Sequence, residues 1–394
     1  MNTIEQFNEH VMQTYGRIGL VMESGHGQTA VGEDGKEYID FGSGIGTNSL
    51  GYCDEDWVNA ICEQAHKIQH TSNYYYTKVQ ADFAKRLCEA TGYEKMFFGN
   101  SGAEANECAI KLARKYSFDK YGKDAERNII ITLVNSFHGR TLCTLSATGQ
   151  EVFHNYFFPF VGGFENVIAN DIDDLMDKLN KLDNKVCAVM FEFVQGEGGV
   201  IPLQQSFVNT IMLECAKRDI LTIADEVQTG VGRTGKLLTS ELYNVKPDIT
   251  TLAKGLAGGV PIGVCLANKK CSEVLGKGTH GSTFGGNPIS CAGGNAVLDK
   301  VTKPEFLEEV CKKGEYFREK LVQIDEVEGV DGLGLMIGVR LKTKKAADVL
   351  NKCFENGLLI LTAKDKLRFL PPLNISYEQI DKGLAILKKV LDEK

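Results

Sequence analysis

The sequence predicts an α/β protein with a large domain around a mainly parallel sheet and a second, smaller α+β domain. Apolar runs of strand length alternate with helical patterns over most of the chain, as in proteins built from βαβ units. From about residue 300 onward the pattern changes to charged helices that flank short strands. The length of 394 residues suits one large domain and one smaller one.

Three apolar segments are predicted to be central strands of the large sheet. They are 128–134 (NIIITLV), 186–194 (VCAVMFEFV) and 220–226 (ILTIADE). Each is rich in β-branched and apolar residues and shows little alternation with polar ones. That composition is expected of parallel strands buried on both faces.

A helix is predicted over residues 101–122. Ser101 and Glu104 have the spacing of a capping box, which marks a helix start. Glu107 and Lys111 lie one turn apart and are expected to pair. One face of this helix is apolar and is formed by Ala105, Ala109, Leu112 and Tyr116.

The C-terminal part of the chain predicts the smaller domain. Charged helices are expected over 304–323 and 376–392, and short strands over 333–341 and 367–370. No linker rich in proline, glycine or serine separates this part from the preceding residues.

Composition restricts the class of function. A net charge of −8 argues against nucleic-acid or anionic-membrane partners, because either would need a basic surface. The N-terminus carries Glu5 and Glu9 and has no apolar core, so we predict no signal peptide and expect a cytoplasmic protein. The weakly charged stretch 249–268 contains Lys254 and Pro261, which argues against a membrane span. Twelve cysteines without Cys-x-x-Cys or a Cys/His cluster predict reduced thiols and no metal site.

Two segments place small or acidic residues where ligands bind in α/β proteins. Gly102 and Ala103 leave first-turn amides of the predicted helix open, and such amides attract phosphate. Asp225 and Glu226 directly follow an apolar strand, at the end where such proteins bind their ligands. Neighbouring side chains on a strand point to opposite faces, so only one of this pair is expected to face a site. The alternatives are an ordinary helix cap and a solvated strand end.

Lys254 is the only charged residue in the stretch 249–268. A buried lysine is costly unless it is paired or functional. Desolvation lowers the pKa of a lysine and yields the neutral amine that forms Schiff bases. The alternative is a lysine at a strand end that extends to solvent.

The segment 229–238 (TGVGRTGKLL) matches two nucleotide-binding patterns in part. Its glycines have the dinucleotide-binding spacing, but they occur late in the chain rather than in the first strand-to-helix turn. As a P-loop it is one residue short, and Leu237 stands where Ser or Thr would hold Mg²⁺. A nucleotide-binding protein acting through residues 230–236 is the alternative from a different class of function.

A phosphate-accepting helix start, a strand-end aspartate and an isolated lysine together match what pyridoxal 5′-phosphate requires. The chain resembles the class-III, fold-type-I, pyridoxal-phosphate-dependent aminotransferases over nearly its whole length, and within them most closely the group that acts on acetylornithine. The motifs that carry the resemblance include, in chain order, DGKEYIDFGSGIGTNSLGY (34–52), FFGNSGAEANECAIKLARK (97–115), SFHGRTLCTLSATGQ (136–150), QGEGGVIP (195–202), ADEVQTGVGRTGKL (224–237), LAKGLAGGVPIG (252–263), GTHGSTFGGNP (278–288) and LRFLPPLNIS (367–376).

The resemblance implies roles for the cofactor-binding residues. Lys254 is expected to hold the cofactor covalently and to move the proton during catalysis. Asp225 is expected to keep the pyridine nitrogen protonated. The other cofactor contacts are assigned to Ser101, Gly102, Ala103, Phe137, Val227, Gln228 and, from a neighbouring subunit, Thr283.

The resemblance also implies transfer of the δ-amine of N2-acetylornithine to 2-oxoglutarate, giving N-acetylglutamate 5-semialdehyde and glutamate, in arginine biosynthesis. Arg140 would bind the distant α-carboxylate of the donor, and Arg368 the near carboxylate of the acceptor. Glu197 would neutralise Arg368 in the first half-reaction and release it in the second. Ser282 would contribute from the partner subunit. The bland alternatives are a surface arginine at 140 and turn residues at 197 and 282, while ornithine, succinylornithine and 4-aminobutyrate remain alternative donors.

A homodimer with shared active sites is implied, with a large cofactor-binding domain over 46–285 and a small domain formed by 1–45 and 286–394. Phe193 and Ala224 depart from the pattern of the family, in which proline and phenylalanine are common at these positions, so altered packing is expected there. The segment 72–77 (SNYYYT) has an extra aromatic cluster, which leaves the acyl group of the donor open.

Overall fold

The computed structural model describes residues 2–393. Its centre is a seven-stranded sheet in which only one strand, β12, runs antiparallel to the others. The sheet confirms the predicted α/β class and the three predicted strands. Its order is β4-β12-β11-β10-β7-β5-β6, with β4 at Lys95–Gly99, β5 at Ile129–Leu133, β6 at Phe164–Val167, β7 at Val186–Phe191, β10 at Leu221–Asp225, β11 at Ile249–Leu252 and β12 at Gly263–Ala267.

The inner strands of this sheet are buried throughout, because helices cover both faces. The helices of this part of the chain are α1 (Thr3–His10), α2 (Ser43–Gly46), α3 (Glu55–Lys67), α4 (Lys78–Thr91), α5 (Gly102–Tyr121), α6 (Leu142–Ala147), α7 (Ile172–Leu182), α8 (Gln205–Arg218) and α9 (Pro288–Val301). Short 3₁₀ turns occur at Lys123–Ala125, Glu151–Phe153, Asp183–Lys185, Thr239–Glu241 and Lys254–Ala257.

Two smaller four-stranded sheets and one short hairpin complete the structure. The first sheet pairs β1 (Met22–His26), β2 (Thr29–Gly32) and β3 (Glu37–Asp40) with β15 (Leu358–Leu359), so it joins both ends of the chain. The second has the order β13-β14-β17-β16, with β13 at Val327–Leu333, β14 at Met336–Leu341, β16 at Leu361–Ala363 and β17 at Lys366–Phe369. The hairpin joins β8 (Val194–Gln195) to β9 (Ile201–Pro202), and the C-terminal helices are α10 (Pro304–Leu321), α11 (Ala346–Glu355) and α12 (Tyr377–Asp392).

Several local expectations differ from the structure. The segment 333–341 is not one strand, because Gly334, at φ 53°, turns the chain between β13 and β14. Glu107 and Lys111 do not pair: Lys111 contacts His280, whose Nδ1 lies 2.9 Å from its Nζ, and Glu107 accepts a hydrogen bond from Thr141. These tertiary partners override the exposed-helix pairing that the spacing predicts.

The predicted capping box is half formed. The Ser101 hydroxyl accepts a hydrogen bond from the Glu104 amide at 3.2 Å. The Glu104 carboxylate bonds to the backbone and side chain of Asn100, one residue before the cap. The helix still begins as predicted, after Ser101.

The carboxyl ends of the parallel strands meet along one edge of the large sheet. The segments that follow β4, β5, β7, β10 and β11 therefore come together there, although they are far apart in sequence. This is the edge at which open α/β sheets bind ligands.

Candidate active site

A cavity of about 390 Å³ lies at this edge of the sheet. The residues after β4, β5, β7, β10 and β11 line it, and Thr47 and residues 259–262 close it. The lining includes nine of the residues singled out in the sequence: Ser101, Gly102, Ala103, Phe137, Arg140, Asp225, Val227, Gln228 and Lys254.

The start of α5 forms one wall of the cavity. The first-turn amides of Gly102 and Ala103 have no acceptor within the helix, because the carbonyls they would need precede it. A Cβ atom at position 102 would lie 2.7 Å from Cγ1 of Val227. Glycine therefore lets the helix start approach Val227 and keeps its amides accessible to an anion.

Asp225 is the acidic group that faces the cavity. Its Oδ2 accepts from Asn106 Nδ2 at 2.7 Å and lies 2.8 Å from His138 Nδ1, while Oδ1 accepts from the Val227 amide at 3.1 Å. These contacts fix the carboxylate in a buried position. Glu226 points away from the cavity, and its carboxylate accepts from the Thr239 and Ser240 amides. The expectation that only one of the pair faces the site is confirmed.

Lys254 lies directly after β11, within reach of the same carboxylates. Burial lowers the pKa of its amine, although Asp225, Glu197 and Glu192 act in the opposite direction. Its backbone is at φ 46°, in the left-handed region that only a few per cent of non-glycine residues adopt. Such strain is often found at functional positions. Low pKa and fixed position suit an amine that acts as a nucleophile.

Arg368 and Glu197 form a buried pair next to this cavity. Arg368 Nη1 donates to Glu197 Oε1 at 2.6 Å, and Gln228 lies 3.4 Å from both groups. Burial alone would raise the pKa of Glu197, but the Arg368 guanidinium outweighs it, so the pKa lies below its ordinary value. Nε of Arg368 is buried and has no hydrogen-bond partner among the described residues.

Arg140 lies on the opposite, open side of the cavity. Its guanidinium carbon is 3.9 Å from the centre of the Phe153 ring and 5.6 Å from that of Phe137. The side chain is exposed and forms no ion pair within residues 2–393. Its charge is therefore available to a ligand.

Ser282 and Thr283 do not line this cavity. They lie in a separate surface hollow of about 480 Å³ together with Phe284, whose side chain is 59% exposed. Asn100 joins the two places, because its Nδ2 donates to Ser282 Oγ at 3.1 Å. Within one chain, the structure does not bring these two predicted residues to the cavity.

The loop 229–235 is filled by the protein itself. A Cβ at Gly235 would meet Cys311 Sγ at 2.1 Å, and one at Gly232 would meet Leu373 at 3.1 Å. The amides of Gly230, Val231 and Gly235 bond to backbone carbonyls. The loop therefore has no space for a phosphate, and the nucleotide-binding alternative is not supported.

Sequence reasoning missed three polar residues of the cavity: Asn106, His138 and Glu192. All three are buried, and Asn106 and His138 hold Asp225. His138 lies next to Phe137 in the motif SFHGR, and Asn106 lies one turn into α5 from Gly102, so both positions were open to prediction. Glu192 was hidden within a segment predicted as continuous strand.

The residues of the cavity fit pyridoxal 5′-phosphate. The open amides at the start of α5 suit a phosphate group. Asp225 is held ready to face a ring nitrogen, and the Lys254 amine suits covalent attachment to an aldehyde. Among residues 2–393, no cluster of three or more His, Cys, Asp or Glu side chains is arranged to hold a metal ion, and no helix is long and apolar enough to cross a membrane.

Comparisons with known proteins agree with this geometry. The profile of the family "Aminotransferase class-III" matches residues 11–391. The acetylornithine aminotransferase of Haemophilus ducreyi is 52% identical over 385 residues, which cover 98% of this chain and 97% of the relative. That of Caldanaerobacter subterraneus is 47% identical over 390 residues, with 98% of each chain covered.

Two solved structures have the same fold. The ornithine aminotransferase of Toxoplasma gondii superposes with a TM-score of 0.93 at 31% identity, over 98% of this chain and 94% of the other. The N-acetylornithine aminotransferase of Stenotrophomonas maltophilia gives a TM-score of 0.84 at 35% identity, over 96% and 97%. The fold is therefore fold type I, as predicted. The chain belongs to the class-III aminotransferases and is a pyridoxal-phosphate-dependent enzyme.

Proposed function

We propose that the protein transfers the δ-amine of N2-acetylornithine to 2-oxoglutarate and so acts in arginine biosynthesis. The observation that carries the proposal is the contrast between two arginines at one cavity. Arg368 is neutralised by Glu197 at 2.6 Å, whereas Arg140 is free to bind an anion. An enzyme that alternates between a donor with a distant carboxylate and an acceptor with a near one needs both states.

On the donor side, Arg140 binds the α-carboxylate of the acylated ornithine and positions the δ-amine beside Lys254. While Glu197 neutralises Arg368, the near position offers no unpaired cation to an α-carboxylate. The α-carbon of a competing amino acid is therefore not drawn to the reacting position. This arrangement explains reaction at the side-chain amine.

The proton transfers are assigned to Lys254. Bound pyridoxal 5′-phosphate supplies an electron-withdrawing ring that takes up the electron pair left at the substrate carbon. Desolvation leaves Lys254 Nζ neutral and able to accept the proton from that carbon. Asp225, fixed by Asn106 and His138, holds positive charge at the opposite end of the cavity.

On the acceptor side, Glu197 leaves Arg368 when 2-oxoglutarate enters. The guanidinium then binds the carboxylate next to the keto group through two parallel hydrogen bonds. Arg368 Nε, which has no partner among residues 2–393, is one donor available for this purpose.

We propose that the working unit is a homodimer in the cytoplasm, with Ser282 and Thr283 completing the site of the partner. Their position outside the cavity of their own chain supports this. So does the exposure of Tyr74, Tyr75 and Tyr76, which are 94%, 69% and 102% exposed in the single chain. The domain division at 46 and 286 also stays a proposal, supported by the sheet that joins β1–β3 to β15.

The deciding experiment is a half-reaction without a keto acid. The purified protein with its cofactor is mixed with N2-acetylornithine, and separately with ornithine, and the cofactor absorption band is followed. Loss of the band with the acetylated donor, reversed by 2-oxoglutarate, supports the proposal. Loss with ornithine alone would replace it by the second candidate, an ornithine aminotransferase, which the TM-score of 0.93 to the Toxoplasma gondii enzyme favours.

A further inference from the structure

Glu192 connects two loops of the cavity through a single carboxylate. It lies directly after β7 and is buried. Its Oε1 accepts from the Phe137 amide at 2.9 Å, and its Oε2 accepts from the Gly196 amide at 3.2 Å. The two amides belong to segments that are about 60 residues apart in the sequence.

The two loops carry the two sides of substrate selection. Residues 134–141 carry Phe137 and Arg140, and residues 194–200 carry Glu197. They also touch elsewhere, since Gln195 Nε2 donates to the Val134 carbonyl at 2.9 Å. Glu192 is the contact that lies nearest to the reacting groups, because it lines the cavity itself.

The surroundings make this carboxylate sensitive to its bonding. Burial raises the pKa of Glu192 to about 7, with the charge of Asp225 adding to the rise and His138 opposing it. Lys254 is the other charged group close enough to interact with it. A buried carboxyl with so few charged partners depends on its two backbone donors.

We propose that Glu192 is a positioning residue that couples the donor loop 134–141 to the acceptor loop 194–200. The setting of Arg140 for the donor and the setting of Glu197 against Arg368 then depend on one side chain. The inference deepens the proposed function and rests on it for the identity of the two substrates. The bridge itself is independent of any substrate.

The test compares Glu192→Gln with the wild type. The amide of glutamine has one acceptor oxygen, so it satisfies one loop amide and presents a donor to the other. Hydrogen exchange is measured on full-length protein, with and without pyridoxal 5′-phosphate, for peptides covering 134–141 and 194–200. At least one of these peptides is expected to exchange about tenfold faster.

The kinetic readout is the ratio of kcat/KM for the acetylated donor to that for glutamate. In Glu192→Gln it is expected to fall about tenfold, with most of the change in the KM of the donor. Glu192→Asp, which shortens the reach to both amides, should shift the ratio in the same direction. It keeps the proposal testable if the first variant does not fold.

Glu226→Gln is the matched control. Glu226 is also a buried strand-end carboxylate that accepts from two amides, and burial raises its pKa to about 7, but it faces away from the cavity. An unchanged substrate ratio in this variant supports the inference. Wild-type exchange in both loops of Glu192→Gln, or an equal shift of the ratio in Glu226→Gln, overturns it. If acetylornithine is not a substrate at all, the proposed function fails, while the exchange data still test the bridge.

Discussion

The two arginines of the active site are set in opposite ways. Arg368 on β17 is 4% exposed and already bound to a carboxylate, whereas Arg140 is exposed and rests on an aromatic ring. The buried arginine has its geometry fixed in advance, so little side-chain entropy is lost on binding. The exposed one can adapt to a longer ligand. An enzyme with two unlike substrates therefore uses a rigid switch on one side and an open anchor on the other.

Removing Lys254 affects both sides equally and should have the largest effect. Lys254→Ala is expected to lower both half-reactions about a thousandfold or more, because the proton carrier is lost. Binding of either substrate at the two arginines should change little. Stopped-flow absorption measures the rates and calorimetry the affinities. Borohydride reduction that still attaches the cofactor to the variant would contradict the role given to Lys254.

Arg368→Ala attacks the rigid side. The half-reaction with 2-oxoglutarate is expected to slow about a hundredfold, as a paired guanidinium–carboxylate contact is lost. Glu197 is left without its partner, so the free energy of unfolding should fall by about 1–3 kcal/mol. Single-turnover kinetics and urea denaturation provide the two measurements. A loss of activity with the acetylated donor alone would show that the two arginines have been assigned the wrong way round.

Arg140→Ala is the matched change on the open side. The kcat/KM for the acetylated donor should fall about 10- to 100-fold, while the 2-oxoglutarate half-reaction stays within about twofold of the wild type. Only the contact with Phe153 is lost within the protein, so stability should change by less than about 1 kcal/mol. An equal loss in both half-reactions would remove the contrast between the arginines.

Glu197→Ala should turn the rigid side into a second open one. With Arg368 unpaired, glutamate is expected to react about tenfold faster relative to the acetylated donor. The ratio of the two kcat/KM values is the measurement, and Gln228→Ala, which leaves the ion pair in place, is the comparison. If the ratio does not move, Glu197 does not gate Arg368.

The smallest effect concerns pH. The pKa of Glu197 is depressed below its ordinary value of 4.5, so the ion pair stabilises the folded state above that value. The contribution is lost as the pH falls through the depressed pKa. The difference in unfolding free energy between wild type and Glu197→Gln should therefore shrink as the pH is lowered from 7 toward 3. A difference that stays constant would mean that the pair contributes no pH-dependent stability.

Much of this architecture could be predicted from local signals. The helix start at Ser101, the strand ending at Asp225 and the isolated Lys254 each have a signature within a few residues. Glu197 and Arg368 could be paired only by resemblance, because the two residues come from different sheets and are far apart in the sequence. The turn at Gly334 was missed because apolar residues continue on both sides of it.

The missed carboxylate shows a different limit. Glu192 sits in a run of apolar residues, and nothing local distinguishes it from Glu226, which faces the other way. Which of two buried acids faces the cavity depends on where each strand ends. The same holds for Phe193, which packs at 4.8 Å against Tyr243 in a space that only tertiary structure defines. Orientation at strand ends is therefore the part of this site that pattern reasoning reached least well.

The close approach of Gly102 to Val227 has a consequence for how such a site can evolve. A methyl group at 102 would overlap a methyl of Val227 and push it toward the space beside Asp225. Each residue thus limits the volume permitted at the other, although the two are more than a hundred positions apart in the sequence. A lineage could enlarge position 102 only after position 227 had become smaller, so the order of substitutions is restricted and most single-step paths away from the present pair are closed.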